Sequence, residues 1–281
     1  MQGCSTGRHE DTETRGVIHS ATAPTAPPKR RWQHGDPPAP GTPRIVCCPH
    51  SGGSATYFRP WSSAVPDGVA LVPVQYPGRH ERLAEPFAES VEQIADALAT
   101  ELLADVAEGP GDTPVVLFGH SMGASVAFET ARRVSGAGAT LCGLIVSAHV
   151  APTVPVTSTV HELPDDQMWQ ALAEWGGTET EVLDLPELRK LFTPAIRADL
   201  TISAAYVDPA ANGSLDVPVI ALAGESDSIA PTSDMHEWAD VTTGGFAMRT
   251  FPGDHFYLVD YVEDILRIAS DVLQAAHSDS P

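Results

Sequence analysis

The segment Gly119-His120-Ser121-Met122-Gly123 is the part of the sequence with the clearest capacity for chemistry. A serine flanked by glycines at this spacing matches the G-x-S-x-G turn that presents a hydroxyl nucleophile. The bare pattern arises by chance in about one chain of this length in ten, so its flanks decide its meaning. An apolar run at 115–118 leads directly into it, and a helical stretch at 124–134 leads directly out. Strand, sharp turn and helix together lift a serine to an exposed position at a helix N-terminus, and the two glycines relieve the crowding of the turn.

A serine hydroxyl is a poor nucleophile without a base, and the base needs an acid that fixes its tautomer. In the order Ser, Asp, His, both partners belong on loops after later strands. Asp227 follows the apolar run 217–223 by the short turn Gly224-Glu225-Ser226 and suits the acid. Asp216 precedes that run, and Asp234 and Asp240 lie in or beyond the next helical stretch, so they suit it less. Of the histidines that follow, His236 sits in helical sequence beside Trp238, and His277 belongs to a polar tail. His255, in Pro252-Gly253-Asp254-His255-Phe256, leaves the last strand at a glycine turn, where a base reaching back to Ser121 must stand. His120 adjoins the nucleophile but points away from it and reads as packing. The oxyanion of acyl transfer needs two fixed N–H donors. The Met122 amide is one candidate. Ser51, in the loop Pro49-His50-Ser51-Gly52-Gly53-Ser54, is the other, because glycines let backbone approach a substrate closely. A phosphate-cradling reading of those glycines fails, since no Gly-Lys-Ser/Thr follows.

The elements that must position these residues are legible as alternating strands and helices. Apolar runs at 45–48, 69–74, 115–118, 144–147, 217–223 and 248–251 read as strands, several too uniformly apolar to have a solvated face. Phe87, Val91, Ile94, Leu98, Leu102 and Val106 draw one apolar stripe along a helix, and residues 262–276 repeat the device at the end of the chain. The pattern predicts an α/β fold, a mostly parallel sheet with helices on both faces. Residues 152–208 break the alternation with helical pieces at 165–175 and 186–192 and no convincing strand, which predicts a helical lid insertion. The core is then 44–151 and 209–277. Residues 1–43, rich in Pro, Thr, Ala and His and without periodicity, read as a disordered tail.

Composition narrows the function. The chain has 281 residues with 16 basic and 37 acidic side chains, a net charge of −21, which excludes a nucleic-acid partner for want of a basic stripe. No run is long and apolar enough for a membrane span, and no secretory h-region opens the chain, so the expected location is the cytoplasm. Cys4, Cys47, Cys48 and Cys142 have neither metal-ligand spacing nor the density of a disulfide scaffold. Cys47 and Cys48 read as small buried residues of a strand.

Taken together, the chain resembles the type II thioesterases, discrete editing enzymes of polyketide synthase and nonribosomal peptide synthetase pathways with the α/β-hydrolase fold. The resemblance spans about 44–275. It rests on Cys48 to Ala55 with Phe58 and Trp61, on Tyr76-Pro77-Gly78-Arg79, on Gly119 to Ala124, on Leu163-Pro164-Asp165-Asp166 and on Gly253-Asp254-His255-Phe256. Asp254 stands where a second glycine is frequent in the family. The resemblance implies a cytoplasmic, cofactor-free and metal-free hydrolase of thioesters on acyl carrier or peptidyl carrier proteins, clearing aberrant short acyl groups during antibiotic biosynthesis.

The residues alone support hydrolysis of an ester or a thioester without choosing between them, so a carboxylesterase or lipase stays open. A non-catalytic accessory that binds carrier domains is disfavoured by the joint presence of Ser121, Asp227 and His255. Tyr57, Phe58 and Trp61 with Arg59, Arg79 and Arg82 suggest a mouth for a long polar arm; aromatics in the core and solvated arginines are the alternative. Carrier proteins are usually acidic and the body of this chain is acidic too, so docking would depend on a local patch near those arginines. A monomer is expected, because no surplus amphipathic helix asks for a partner.

Overall fold

Every residue of β1 (Arg44–Cys48) is buried, and its alternation shows why the strands read as uniformly apolar: Val46 and Cys48 pack into one core, Ile45 and Cys47 into the other. The computed structural model describes residue 1 and residues 32–107, 113–137, 139–176, 185–211 and 214–278. Beside β1 lie β2 (Ala70–Pro73), β3 (Pro114–His120), β4 (Thr140–Ser147), β5 (Val219–Gly224) and β6 (Phe246–Phe251), in the order β2-β1-β3-β4-β5-β6. All five pairings are parallel. The chain winds outward from β1 to β2, then reverses and adds β3 to β6 on the other side. That reversal is a topological switch point, where the loops after β1 and β3 part and leave a crevice at the carboxyl ends of the strands.

Helices α1 (Val91–Ala107) and α2 (Met122–Val134) cover one face, while α5 (Val262–Ser278) and the 3-10 segment Ala55–Ser63 cover the other. The start of α1 is set by Ser90, whose Oγ accepts the Gln93 N–H at 3.1 Å, a side-chain cap on an otherwise unpaired amide. Phe87, which the sequence stripe includes, therefore precedes the helix, and a Cβ on Gly78 would lie 2.2 Å from its ring.

Between β4 and β5 the chain inserts α3 (Asp165–Trp175) and α4 (Pro186–Ala205). The sequence predicts an end to α4 at 192, but the helix runs on through Pro194. An internal proline removes one hydrogen bond; here the turns beyond it bury Ala195, Asp199, Ile202 and Ser203, and that packing outweighs the loss.

The proposed tail boundary at 43 needs correction. Residues 2–31 lie outside the described residues, but Gln33 forms an antiparallel bridge to Val74, and Trp32 takes the Gln75 N–H on its carbonyl at 2.7 Å. The Trp32 and Gln33 amides both donate to the Glu101 carboxylate, and the Arg82 guanidinium lies 4.2 Å over the Trp32 ring. A single bridge has no period, so composition alone could not reveal this short cover on the exposed edge of β2.

The turn from β3 into α2 is the tightest place in the fold. A Cβ on Gly119 would lie 2.0 Å from the Gly123 carbonyl oxygen, and one on Gly123 would lie 2.1 Å from the Cys48 carbonyl oxygen. Both obstacles are backbone, which cannot rotate aside as a side chain can. Gly123→Ala is expected to lower the stability read from urea unfolding by about 1–3 kcal/mol or more; an unchanged midpoint would mean that β1 and α2 can separate without cost.

Candidate active site

At the end of β3 the chain turns through Ser121, whose φ of 54° and ψ of −129° are sparsely populated by residues with a side chain. Such a conformation costs about 1–3 kcal/mol and persists only where its surroundings enforce it. Here the Ser121 amide donates to the Ser147 carbonyl at 2.8 Å, the Ser121 carbonyl accepts the Ala124 N–H at 2.8 Å, and the two flanking glycines have backbone packed against them. The result is a partly exposed hydroxyl at the N-terminus of α2.

Asp227 and His255 come from the loops after β5 and β6, and the parallel pairing of those strands continues into the loops. Glu225 N–H donates to the Phe251 carbonyl and Ser226 N–H to the Gly253 carbonyl, both at 2.8 Å. His255 Nδ1 lies 2.9 Å from Asp227 Oδ2, and both side chains are buried. The other carboxylate oxygen, Oδ1, accepts the amides of Ile229 at 2.8 Å and Ala230 at 3.1 Å. An acceptor so supplied keeps the proton on Nδ1 and leaves Nε2 as the basic nitrogen. Among the described residues no hydrogen bond joins Ser121 to His255, but the two side chains line the same two cavities. The less favoured candidates are elsewhere: Asp216 accepts the Ser135 hydroxyl at 3.1 Å, and His236 and Asp240 are exposed. Asp234 lines the larger cavity but forms no hydrogen bond or ion pair with His255 among the described residues.

The two cavities meet at Ser51, Ser121, Trp175, Leu200 and His255 and form the lobes of one cleft. The smaller, about 210 Å³, lies between α3 and α4 and is walled by Trp169, Leu172, Trp175, Phe192 and Ile196. The larger, about 440 Å³, is lined mainly by apolar side chains such as Val154, Val156, Val160 and Ile229, with Ser158, His161, Ser203 and Ser228 among them. Among the described residues neither the Ser51 nor the Met122 amide meets a protein acceptor, and Met122, as the first residue of α2, has no carbonyl one turn back within the helix to bond. Ser51 lines both lobes, so the glycine loop after β1 reaches the serine turn after β3.

The arginine mouth is not what the structure shows. Arg79 is buried against Asp199 and Arg82 against Glu85 and the Gln75 carbonyl, so neither can face a partner; Arg59 is exposed. Burial follows from the hydrogen-bonding demand of a guanidinium, which these carboxylates and carbonyls satisfy. Phe58 and Trp61 are likewise core residues, edge-on to one another and to or beside Phe118, while Tyr57 is half-buried. Side chains that deep contribute about 1.5–3 kcal/mol each to stability rather than a contact surface. Cys47 and Cys48 are buried free thiols of β1, with burial pushing both pKa values up.

Three imidazoles crowd His255. The His120 ring centroid is 5.2 Å from that of His255 and 6.0 Å from that of His50. His120 Nδ1 bonds to the Ser147 hydroxyl at 3.0 Å, in keeping with a packing role. Desolvation, with the charges of its histidine neighbours, holds the pKa of His120 well below the usual value. Burial also lowers the pKa of His149, against a raising bond to the Val150 carbonyl and with a smaller lowering by nearby His255. Burial, followed by His255 and Arg79, lowers His50 from 6.5 to about 3. Among the described residues its Nδ1 is enclosed without a partner, although one side of the ring reaches the smaller cavity. A histidine whose folded pKa lies below its unfolded one contributes stability that is intact above pH 6.5 and is lost as pH falls from there toward 3. By pH 5 the loss at His50 is expected to be about 1–2 kcal/mol, less than a fully enclosed ring would give. Urea unfolding of His50→Gln at pH 7 and pH 5 should recover that difference; an equally steep loss in the variant would assign it to other groups.

Asp199, the tryptophans of α3 and His50 are not singled out by the sequence. The one signal was an aspartate, Asp199, in register with Ala195 and Ile202 on the buried stripe of a helix.

Comparison with known proteins agrees with this geometry. Residues 43–273 match the thioesterase domain family. Thioesterase PikA5 of Streptomyces venezuelae is 41% identical over 239 residues, covering 84% of this chain and 83% of the relative. The structure of the type II thioesterase BorB from the borrelidin biosynthetic cluster superposes with a TM-score of 0.77 at 38% identity, covering 87% of this chain and 98% of BorB. YbtT, a type II thioesterase from the yersiniabactin pathway, gives a TM-score of 0.76 at 31% identity over 84% of this chain and 94% of its own. A parallel sheet broken at a strand-turn-helix serine, matched along most of its length by proteins of this kind, makes the chain a member of the thioesterase family, with the α/β-hydrolase fold.

Proposed function

We propose that this chain is a discrete editing thioesterase that hydrolyses short acyl groups from the phosphopantetheine arm of carrier proteins in a polyketide or nonribosomal peptide pathway. The observation that carries the reading is the cleft of two lobes meeting at Ser121 and His255, a small one walled by Trp169, Trp175 and Phe192 and another of about twice its volume. A thioester of this kind has unlike halves, an apolar acyl group and a long polar arm. The smaller lobe, between α3 and α4, takes the acyl group. Its volume of about 210 Å³ is below the roughly 300–1,000 Å³ of pockets for drug-sized ligands, which suits a short chain. The larger lobe, roomier and with Ser158, His161, Ser203 and Ser228 spaced among apolar side chains, takes the arm, and the insertion carrying α3 and α4 acts as the lid.

In this reading Ser121 Oγ loses its proton to His255 Nε2 and attacks the thioester carbonyl carbon. Asp227, hydrogen-bonded to Nδ1, stabilises the imidazolium that forms. The carbonyl oxygen gains negative charge between the Ser51 and Met122 amides, which stand ready without other acceptors. The intermediate collapses by breaking the C–S bond, and His255 returns the proton to the departing carrier thiol. Water, deprotonated by the same nitrogen, then attacks the acyl-serine ester and releases the free acid. The sequence offers an overall charge of −21 to the carrier, so an acidic carrier must approach away from most of this surface; of the three arginines, Arg59 is the one exposed to meet it.

Release of free acid from an acyl carrier protein tests the reading. Ser121→Ala is expected to lower kcat by about 10⁴-fold or more; undiminished release would remove Ser121 from the reaction, and a preference for simple oxygen esters over the carrier would make the protein an esterase. Leu172→Trp, which fills the smaller lobe, is expected to cut kcat/KM for medium-chain acyl groups at least about tenfold relative to acetyl or propionyl. An unchanged chain-length profile would place the acyl group in the other lobe.

A further inference from the structure

Asp199 is a carboxylate on α4 of the insertion, 2% exposed, and nothing in the proposed chemistry uses it. It is held by a buried guanidinium, with Arg79 Nη1 2.6 Å from Oδ2 and Arg79 Nη2 2.8 Å from Oδ1. The pair then extends to the backbone of the glycine loop after β1. Asp199 Oδ2 accepts the Gly52 N–H at 2.7 Å, and Arg79 Nη1 donates to the Gly53 carbonyl at 2.9 Å. The loop is closed on its other side by the Gly53 N–H donating to the His50 carbonyl at 2.9 Å. Gly52 itself has φ +77°, and a Cβ there would lie 2.4 Å from Ile196 of α4, so the helix is pressed directly against the loop.

We infer that Asp199 and Arg79 are positioning residues that hold the Ser51 amide in place as an oxyanion donor. The inference rests on the reading of Ser51 as a donor given above. Ser51 lies between His50 and Gly52, so fixing the Gly52 amide, the Gly53 carbonyl and the His50 carbonyl leaves the Ser51 peptide little freedom. An anchor for the insertion alone would need only apolar contact; two backbone groups of one loop, each met by a charged partner, specify the orientation of that loop. The ion pair also explains how a carboxylate can stand so close to a site of developing negative charge. Arg79 covers it bidentately, so its field toward the oxyanion is largely cancelled.

The test uses a small soluble acyl thioester, so that carrier docking plays no part, together with a fluorophosphonate that labels the active serine. Asp199→Ala is expected to lower kcat about 10- to 100-fold and to slow phosphonylation of Ser121 by a similar factor, because both reactions place negative charge between the same donors. KM, and the affinity for a non-hydrolysable thioether analogue, should stay within about twofold. Asp199→Asn keeps the side-chain volume and an acceptor for Gly52 and is expected to recover part of kcat; it also serves if the alanine variant fails to fold. A loss confined to KM, or unchanged kcat and phosphonylation in a folded variant, would overturn the inference. Failure of the unsubstituted protein to be phosphonylated at Ser121 would instead overturn the functional reading beneath it.

Discussion

The close approach of the β3–α2 turn to the end of β1 is the constraint on which the remaining geometry depends. With backbone oxygens only 2.0 and 2.1 Å from where side chains would begin, Gly119 and Gly123 let the turn close and drive Ser121 into a left-handed conformation. The same approach puts the carbonyl of Cys48, the last residue of β1, against the first turn of α2. Because β1 and β3 are neighbours at the point where the sheet reverses direction, the loop after one is bound to meet the turn after the other. A packing contact between two backbones thus fixes the separation between a serine hydroxyl and the glycine loop that faces it.

Around that fixed centre the two sides of the cleft are held by different means. His255 and Asp227 are secured by the sheet, since the β5–β6 pairing runs on into their loops and the Asp227 carboxylate has three hydrogen-bond donors. Among the described residues the pairing of β1 does not run on into the glycine loop, which leans instead on the insertion, through a buried ion pair and the contact of Gly52 with Ile196. The insertion therefore both walls the smaller lobe and touches the loop behind the serine. Neighbouring imidazoles kept neutral by burial surround His255 without adding charge to it at neutral pH.

The sheet and the residues of the serine, histidine and aspartate loops were legible because each leaves a local mark. Strands buried on both faces read as apolar runs, and a glycine-flanked serine between a strand and a helix is defined by its immediate neighbours. What stayed hidden depends on partners distant in the chain. Arg79 and Arg82 look like surface cations until Asp199, 120 residues away from Arg79, and the Gln75 carbonyl are brought to them by the fold. Trp32 and Gln33 lie in a stretch without periodicity, and only the edge of β2 and the carboxylate of Glu101 give them a place. Pro194 suggests the end of a helix on local grounds, and burial of the turns beyond it overrides that preference.

The central claim is that Ser121 carries the acyl group between the carrier thiol and water. Acid-quenched samples, taken within milliseconds of mixing the protein with an acyl carrier protein and then analysed by peptide mass spectrometry, test it directly. The expected result is a transient adduct of the acyl mass on the peptide containing Ser121, appearing with release of the carrier thiol and decaying as free acid forms. Thiol release and acid formation with no adduct at any time, or an adduct on another residue, would contradict it.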